Sequence, residues 1–378
     1  MNAVIAIDSF KGSLTSLQAG EAAARGIRRA CPDAHIRVFP LADGGEGTAE
    51  AIVFGAGGQM RRVRVSDPLG RPIQAFYGVI HGEKTAVIEM ACAAGLPLLS
   101  QSERNPLRTT TYGVGELIRH AVEHGCRDFI VGIGGSATND GGVGMLSALG
   151  VRFLDRNGNP VAQGAQGLFD LAKIDVSDML PALRDCRFSV ACDVKNPLCG
   201  ESGCSAVYGP QKGATPDMVA DMDTALARYA ALTREIFPEA DDTRKGCGAA
   251  GGMGFAFLSY LNAELRSGIA IVMEAIGPEE HVKDADIVIT GEGRMDGQSS
   301  MGKAPVGVAG LAKKYGKPVV ALAGGVTADA VRCHDYGIDA VFSILRAPCT
   351  LAEAMDTARA EENLAATAEQ VIRLFSAR

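Results

Sequence analysis

The sequence contains no block of basic residues and no stripe of arginine and lysine. Of its 378 residues 21% are charged, and the formal net charge is −7. Nucleic acids and anionic membranes bind proteins through clustered positive charge, so neither is an expected partner. No apolar run reaches the ~18 residues of a membrane span. Met1–Phe10 also lacks the basic start and apolar core of a signal peptide, so the expected location is the cytoplasm.

The sequence also lacks the patterns of cysteine and histidine that are typical of disulfide frameworks, zinc sites and histidine-based catalysis. The ten cysteines are scattered along the chain without a CxxC pair, which favours reduced thiols in a cytoplasmic protein. None of the six histidines lies in a loop that resembles a catalytic site. Catalysis based on histidine or cysteine is therefore not expected.

The length and the pattern of strands predict two domains. A chain of 378 residues exceeds the ~250–300 residues at which one hydrophobic core stops growing. Val4–Ile7 and Ile36–Leu41 read as buried strands joined by a helix with a Thr15/Gln18 capping box, which is a βαβ unit. Near the other end, three further strands alternate with helices and are expected at 287–289, 318–322 and 340–344. Leu351–Phe375 is expected to be mostly helical behind a Thr350/Glu353 capping box.

The middle of the chain has a different character. Alternating apolar residues between Val63 and Val79 predict an antiparallel ribbon, and a second ribbon is expected around Asn157-Gly158. The predicted fold is α/β: a Rossmann-like parallel-sheet domain (1–60 plus 266–378) with a second, mixed α/β domain (61–265) inserted into it. The active site is expected in a cleft between the two.

A glycine-rich loop follows the buried strand that ends near Ile133. A strand, a glycine loop and a helix in this order direct backbone N–H groups and a helix dipole at an anion. Glycines allow close approach, while hydroxyl, amide and carboxylate groups lie at the same place. The residues expected to bind nucleotide phosphates here are Gly134, Gly135, Ser136, Thr138, Asn139 and Asp140.

Two further candidates lie in the inserted region. Asp193 follows a predicted strand and could bind magnesium or accept a hydroxyl proton. Lys212 lies in a glycine-containing loop and could neutralise phosphate charge. The alternatives are a turn-forming aspartate and a solvated lysine.

The C-terminal region carries the sharpest local motif. The strand is expected to end at Thr290, and a loop runs from Gly291 to Lys303. Gly297–Lys303 matches the Gly-x4-Gly-Lys part of a P-loop, but Ala304 stands where a magnesium-binding Ser or Thr belongs. A different phosphate or carboxylate site that uses Lys303 is favoured, and a structural loop is the alternative. Lysines, aspartates and glycine loops suit phosphoryl transfer.

Taken together, these loops resemble the bacterial glycerate kinase family, of the type 1 or glycerate 2-kinase-like group. The likeness extends over essentially the whole chain. The segments that carry it are DSFKGS (8–13), ADGGEGT (42–48), DPLGRP (67–72), GIGGSATNDGG (132–142), ACDVKNPLCG (191–200), GPQKGA (209–214) and TGEGRMDGQSSMGKAP (290–305).

The resemblance implies an ATP- and Mg²⁺-dependent kinase of D-glycerate that is a monomer or homodimer. It suggests 2-phosphoglycerate as the product, with 3-phosphoglycerate as the alternative. Lys11, Ser13 and Arg294 are the candidates for binding the substrate. The candidate catalytic residues are Asp193, Asp296 and Lys303, and the candidate Mg²⁺ ligands are Asp43 and Asp193.

Two other functions fit the same loops. One is a related kinase of a sugar acid or polyol on the same scaffold. The other is a non-catalytic protein that binds small anions. Turnover of ATP against a panel of hydroxy acids separates these possibilities.

Overall fold

The computed structural model describes residues 1–377 and contains two compact units. Unit 1 comprises Met1–Asp43, Glu50–Ala56 and the chain from Ile269 onward; unit 2 comprises Gly44–Ala49 and Gly57–Gly268. Unit 2 therefore interrupts unit 1 in the sequence. The α/β class predicted from the sequence is confirmed.

The elements of both units are numbered in chain order. The strands are β1 (Asn2–Ile7), β2 (His35–Val38), β3 (Gln59–Ser66), β4 (Pro72–Ile80), β5 (Thr85–Glu89), β6 (Asp128–Gly132), β7 (Arg152–Leu154), β8 (Lys173–Asp175), β9 (Arg187–Ala191), β10 (Glu264–Arg266), β11 (Ile287–Met295), β12 (Val319–Val326) and β13 (Ala340–Ser343). The α-helices are α1 (Ser16–Ala30), α2 (Thr48–Ala56), α3 (Ala91–Ala94), α4 (Tyr112–Glu123), α5 (Val143–Ala148), α6 (Gly167–Asp170), α7 (Cys204–Tyr208), α8 (Pro216–Ile236), α9 (Ala249–Tyr260), α10 (Gly268–Ile276), α11 (Glu279–Lys283), α12 (Ala304–Lys314), α13 (Leu351–Met355) and α14 (Thr357–Phe375).

Unit 1 is a parallel five-stranded sheet with the order β13-β12-β11-β1-β2. The direction of winding changes between β1 and β11, and in such sheets ligands bind at the carboxyl ends of the two strands at this point. Helix α1 begins with the predicted Thr15/Gln18 capping box. It packs with α14 on one face, where Ile5, Ile7 and Ile289 belong to the core.

Unit 2 contains a six-stranded mixed sheet with the order β10-β9-β6-β5-β4-β3. The predicted ribbon is present as the antiparallel pair β3–β4, and β5, β6, β9 and β10 run parallel. The aromatic pair Phe129 and Phe188 stacks across β6 and β9 with ring centroids 4.7 Å apart. The central strands are thereby buried, and their carboxyl ends lie along one edge.

Three sequence predictions about local structure were wrong in part. Strand β11 continues to Met295, five residues beyond the predicted end, because it stays paired with β12 as far as Val326. The second ribbon is incomplete: Leu154 bridges Pro160, but β7 pairs mainly with β8. The helix expected from Leu351 to Phe375 breaks after Met355, since Asp356 caps a new helix by accepting from the Arg359 N–H at 2.8 Å.

Within the described residues, none of the helices combines the length and apolarity that crossing a membrane requires.

Candidate active site

Two buried carboxylates lie side by side at the carboxyl edge of the unit 1 sheet. Ile7 of β1 pairs with Gly291 of β11, and the Asp8 N–H donates to the Gly291 carbonyl at 2.9 Å. The next positions along these strands are Asp8 and Glu292, which are 7% and 8% exposed. Both occupy the switch point of the sheet. Sequence reasoning missed them as site residues.

Burial and like charge alter the acidity of these groups. Burial, reinforced by the negative charge of Asp43, raises the pKa of Asp8 to about 7 against the opposing charge of Lys11. Burial also raises the pKa of Glu292, which a hydrogen bond from Ser299 and the charge of Lys303 partly offset. A carboxyl group whose pKa is near 7 can exchange protons at neutral pH.

The loop after β1 contains two of the predicted substrate residues, of which Lys11 lies within electrostatic range of both carboxylates. Lys11 Nζ lies 3.4 Å from Asp43 Oδ2, and the lysine side chain is 76% exposed. Coulombic attraction to Asp43 raises the pKa of Lys11, so it is a cation at neutral pH. Ser13 Oγ is buried and has no hydrogen-bond partner within residues 1–377. Lys11 is thus an accessible cation for an anionic substrate.

The last residues of β11 and the loop after it supply the other predicted residues of unit 1. Arg294 Nε lies 3.7 Å from Asp296 Oδ2, and the arginine side chain is 70% exposed. Asp296 Oδ1 accepts from the Gln298 N–H at 2.9 Å, while the Asp296 N–H donates to Ser299 Oγ at 3.1 Å. Lys303 is the N-cap residue of α12. The carboxyl edge of this sheet therefore carries three cationic side chains and several carboxylates.

In unit 2, the predicted phosphate loop follows β6. Gly135 (φ +73°), Gly141 (φ +66°) and Gly142 (φ +79°) adopt left-handed conformations that suit glycine. Gly134 is needed for another reason, since a Cβ there would lie 3.0 Å from Cα of Gly45. The glycines therefore fix both the shape of the loop and its contact with the segment Gly44–Ala49.

Lys212 lies beneath this loop and braces it. Its Nζ donates to Ser136 Oγ at 2.8 Å and to the Thr138 carbonyl at 2.7 Å, and the residue is 1% exposed. Burial lowers the pKa of Lys212 to about 8, and the negative charge of Asp140 partly offsets this shift. The lysine of this loop is neither solvated nor on the surface.

The buried side chain of Asp140 stabilises the same loop through hydrogen bonds. The fully buried carboxylate accepts from the N–H groups of Thr111, Gly142 and Gly144 and from the Thr111 hydroxyl, at 2.8–3.2 Å. Burial raises the pKa of Asp140, and these bonds oppose the shift. Asn139 Nδ2 donates to Ser205 Oγ at 2.8 Å. The polar side chains at 139 and 140 therefore hold the loop backbone in place.

Two more carboxylates lie at the carboxyl ends of β9 and β5 in the sheet of unit 2. Asp193, after β9, is exposed and accepts from the Gly268 N–H at 3.3 Å. Glu89 ends β5, is 5% exposed, and accepts from the Ala49 N–H at 2.6 Å and the Gly47 N–H at 3.3 Å. Glu89 thus caps the start of α2. Its signal in the sequence was a charged residue at the end of an apolar strand.

No set of three His, Cys, Asp or Glu side chains within residues 1–377 is arranged to hold a metal ion. Mg²⁺ that binds together with a nucleotide needs only one or two protein carboxylates, because phosphates and water complete its coordination. An exposed carboxylate at a strand end, such as Asp193, fits that requirement. Asp43 already forms an ion pair with Lys11.

A model of the glycerate kinase family matches residues 3–376. Among curated proteins, the chain is 48% identical over 376 residues to a glycerate kinase of Haemophilus influenzae, covering 100% of this chain and 99% of the relative. It is also 48% identical to the glycerate 2-kinase of Escherichia coli, with coverage of 97% and 98%. A crystal structure of a protein described as glycerate kinase 2, from Salmonella typhimurium, superimposes with a TM-score of 0.91 at 49% identity, covering 100% and 98% of the two chains.

Proposed function

The chain belongs to the glycerate kinase family, and we propose that it transfers the γ-phosphoryl group of ATP to the 2-hydroxyl group of D-glycerate. The observation that carries the proposal is 48% identity, over nearly the full length of both chains, to a relative named glycerate 2-kinase. The carboxyl edge of the unit 1 sheet supports this proposal. Its cationic side chains can bind the carboxylate of a small hydroxy acid, and its carboxylates can accept hydrogen bonds from the hydroxyl groups.

The phosphate groups of the nucleotide bind along the loop Gly134–Asp140 of unit 2. Gly134 and Gly135 allow close approach of phosphate oxygens to the backbone. Lys212 and Asp140 keep the loop in shape, and the buried ammonium of Lys212 adds positive charge beneath Ser136. Phosphoryl transfer is catalysed mainly by positioning the phosphates and by stabilising their negative charge, and a well-held loop with a buried ammonium can do both.

The substrate binds at the carboxyl edge of unit 1. Its carboxylate pairs with Lys11 and Arg294, whose side chains are 76% and 70% exposed. Ser13 and Lys303 lie in the loops that flank this edge, and Lys303 at the start of α12 adds to the positive end of the helix. Asp296 orients Arg294 through their 3.7 Å contact.

Asp193 would bind Mg²⁺, with the nucleotide phosphates as the other ligands. We assign the metal to Asp193, an exposed carboxylate just beyond the carboxyl end of β9. When bound, Mg²⁺ offsets the negative charge that develops on the phosphate oxygens.

The test measures ADP formation by the purified chain with ATP, Mg²⁺ and a panel comprising D-glycerate, L-glycerate, D-lactate, glycolate, tartronate and glycerol. Turnover that depends on D-glycerate and stops with EDTA is expected. Preference for another acid or polyol would instead identify a related kinase. Calorimetric binding of glycerate without any ADP formation would overturn the proposal in favour of a binding protein.

A further inference from the structure

Asp8 and Glu292 share one face and one end of the unit 1 sheet. Ile7, the residue before Asp8, belongs to the core beneath α1 and α14. Side chains alternate along a strand, so Asp8 and its neighbour Glu292 point to the opposite face. Helix α12 packs against β1 and β11, and its N-terminus lies at the same edge because α12 follows β11. Two carboxylates and a helix N-terminus therefore converge there.

Glu292 Oε1 lacks a hydrogen-bond donor. This oxygen is buried and has no hydrogen-bond partner within the described chain. Ser299 opposes the rise in the pKa of this carboxylate, and Ser299 Oγ accepts from the Asp296 N–H at 3.1 Å. Thr290 Oγ1, two residues earlier on the same strand, is also buried without a partner among residues 1–377. Burying an acceptor without a donor is unfavourable, so a bound molecule that supplies O–H groups would be stabilised here.

Asp8 has one oxygen fixed by the backbone. Its Oδ1 accepts from the Ser9 N–H at 2.6 Å, which directs Oδ2 to a different partner. Positive charge is also in range, because Lys11 acts on both carboxylates and Lys303 acts on Glu292. An anionic substrate can therefore lie beside the two carboxylates with its charge offset.

We propose that Asp8 and Glu292 bind the two hydroxyl groups of glycerate, with Asp8 accepting the proton of the hydroxyl that is phosphorylated. The inference rests on the proposed function. The O–H bond of the substrate breaks and its proton moves to Asp8 Oδ2. The oxygen forms the new bond to the γ-phosphorus, while the bond from phosphorus to the β,γ-bridging oxygen breaks and ADP leaves with the electron pair. Glu292 Oε1 accepts from the second hydroxyl and so determines which hydroxyl faces Asp8.

The first test uses Asp8→Asn, which keeps the shape of the side chain but cannot take a proton. We expect kcat to fall by at least ~100-fold, with KM for ATP within about threefold of the wild-type value. Asp8→Glu restores the base and should recover part of kcat. A kcat for Asp8→Asn within about threefold of wild type would overturn the proposal.

A suitable control is Asp67→Asn. Asp67 is also buried, at 2% exposure, but its carboxylate binds the Leu69 and Arg71 N–H groups of a turn in unit 2. Its substitution should lower the melting temperature and leave kcat within about threefold of wild type, as expected of a structural carboxylate.

The second test concerns Glu292 and does not require an Asp8 variant to fold. D-Lactate lacks the 3-hydroxyl, so wild type should use it at least ~100-fold less efficiently than D-glycerate, since a polar site rejects an analogue that leaves its acceptor unpaired. Glu292→Ala should shrink that ratio at least ~10-fold, and Glu292→Gln should produce a mixture of the two phosphoglycerates. An unchanged ratio together with a single product would overturn the role of Glu292. If wild type does not phosphorylate glycerate, the proposed function fails; if wild type is active and the variants match it, only this inference fails.

Discussion

Lys212 Nζ donates a 2.8 Å hydrogen bond to Ser136 Oγ, a residue 76 positions earlier in the chain. A second bond of 2.7 Å reaches the Thr138 carbonyl, so one buried ammonium holds two points of the phosphate loop. The lysine is itself placed by Gly213 (φ +93°), whose close contact with the Arg104 carbonyl leaves no room for a side chain. Hydrogen bonds from Lys212 therefore hold the loop that is proposed to bind ATP at two points.

Replacing this lysine should damage nucleotide binding. Lys212→Met keeps the length of the side chain but removes both donors, and hydrogen bonds from a charged group are worth about 1.5–3 kcal/mol each. We expect kcat/KM for ATP to fall at least ~10-fold, with a lower melting temperature. Steady-state kinetics and thermal denaturation measure the two effects. If kcat/KM for ATP and the melting temperature both keep their wild-type values, the two hydrogen bonds of Lys212 have no role in binding ATP.

A pair of glycines tests the close approach of the segment Gly44–Ala49 to the sheet of unit 2. Gly44 (φ +91°) and Gly47 (φ +86°) have the same left-handed backbone. A Cβ on Gly44 would lie 2.5 Å from Cβ of Ala191, whereas a Cβ on Gly47 meets no atom within 4 Å in the described chain. Both alanine variants carry backbone strain of about 1 kcal/mol, so Gly44→Ala should be less stable than Gly47→Ala by a further ~1–3 kcal/mol in urea denaturation. Equal losses would contradict this reading.

The raised pKa of Asp8 predicts a pH-dependent cost in stability. The folded-state pKa is about 7 and the ordinary value is 3.8. The protonated form is thus favoured in the fold, and its contribution to stability is complete below pH ~4 and lost as the pH rises through 7. Asn at this position does not titrate. The stability of Asp8→Asn relative to wild type should therefore increase between pH 4 and pH 7.5, by at most about 4 kcal/mol.

Denaturant unfolding at both pH values measures that difference. Asp43, Lys11 and Glu292 lie within electrostatic range of Asp8 and are present in both proteins, so most of their direct contribution cancels in the comparison. A difference that is flat or that decreases with pH would contradict a raised pKa. The same group should make kcat/KM for glycerate rise as the pH increases through about 7.

Asp193 should control the requirement for Mg²⁺. Asn at this position can still accept from the Gly268 N–H but carries no charge, so the ion is held less strongly. We expect the Mg²⁺ concentration for half-maximal activity to rise at least ~10-fold. Asp155→Asn is the control, because Asp155 is a half-buried turn residue bonded to the N–H groups of Asn157 and Asn159. An identical Mg²⁺ dependence in the two variants would remove Asp193 as a ligand.

Local rules predicted much of the fold from the sequence. The capping box at Thr15, the strand before the glycine loop and the antiparallel ribbon all depend on neighbouring residues, and all are present. Predictions failed where tertiary pairing decided the outcome. Gly291 and Gly293 suggested that β11 had ended, but pairing with β12 carries the strand on to Met295.

Dependence on tertiary pairing also explains why Asp8 and Glu292 were not predicted as site residues. Lys11 and Arg294 were predicted because they are cations, suited to a substrate carboxylate, in loops expected at strand ends. Asp8 and Glu292 become neighbours only through the register of β1 on β11, which joins residues 284 positions apart. Likewise, the sequence suggested Lys212 as a phosphate ligand but could not show that its ammonium lies beneath Ser136.

The position of the transferred phosphate is the most direct test of the account. Proton-coupled phosphorus NMR of a reaction with ATP, Mg²⁺ and D-glycerate observes the new ester itself. Transfer to the 2-hydroxyl group should give a product resonance that the single proton on C2 splits into a doublet, as in 2-phosphoglycerate, and that appears in step with ADP. A triplet from the two C3 protons of 3-phosphoglycerate, or no new ester at all, would contradict it.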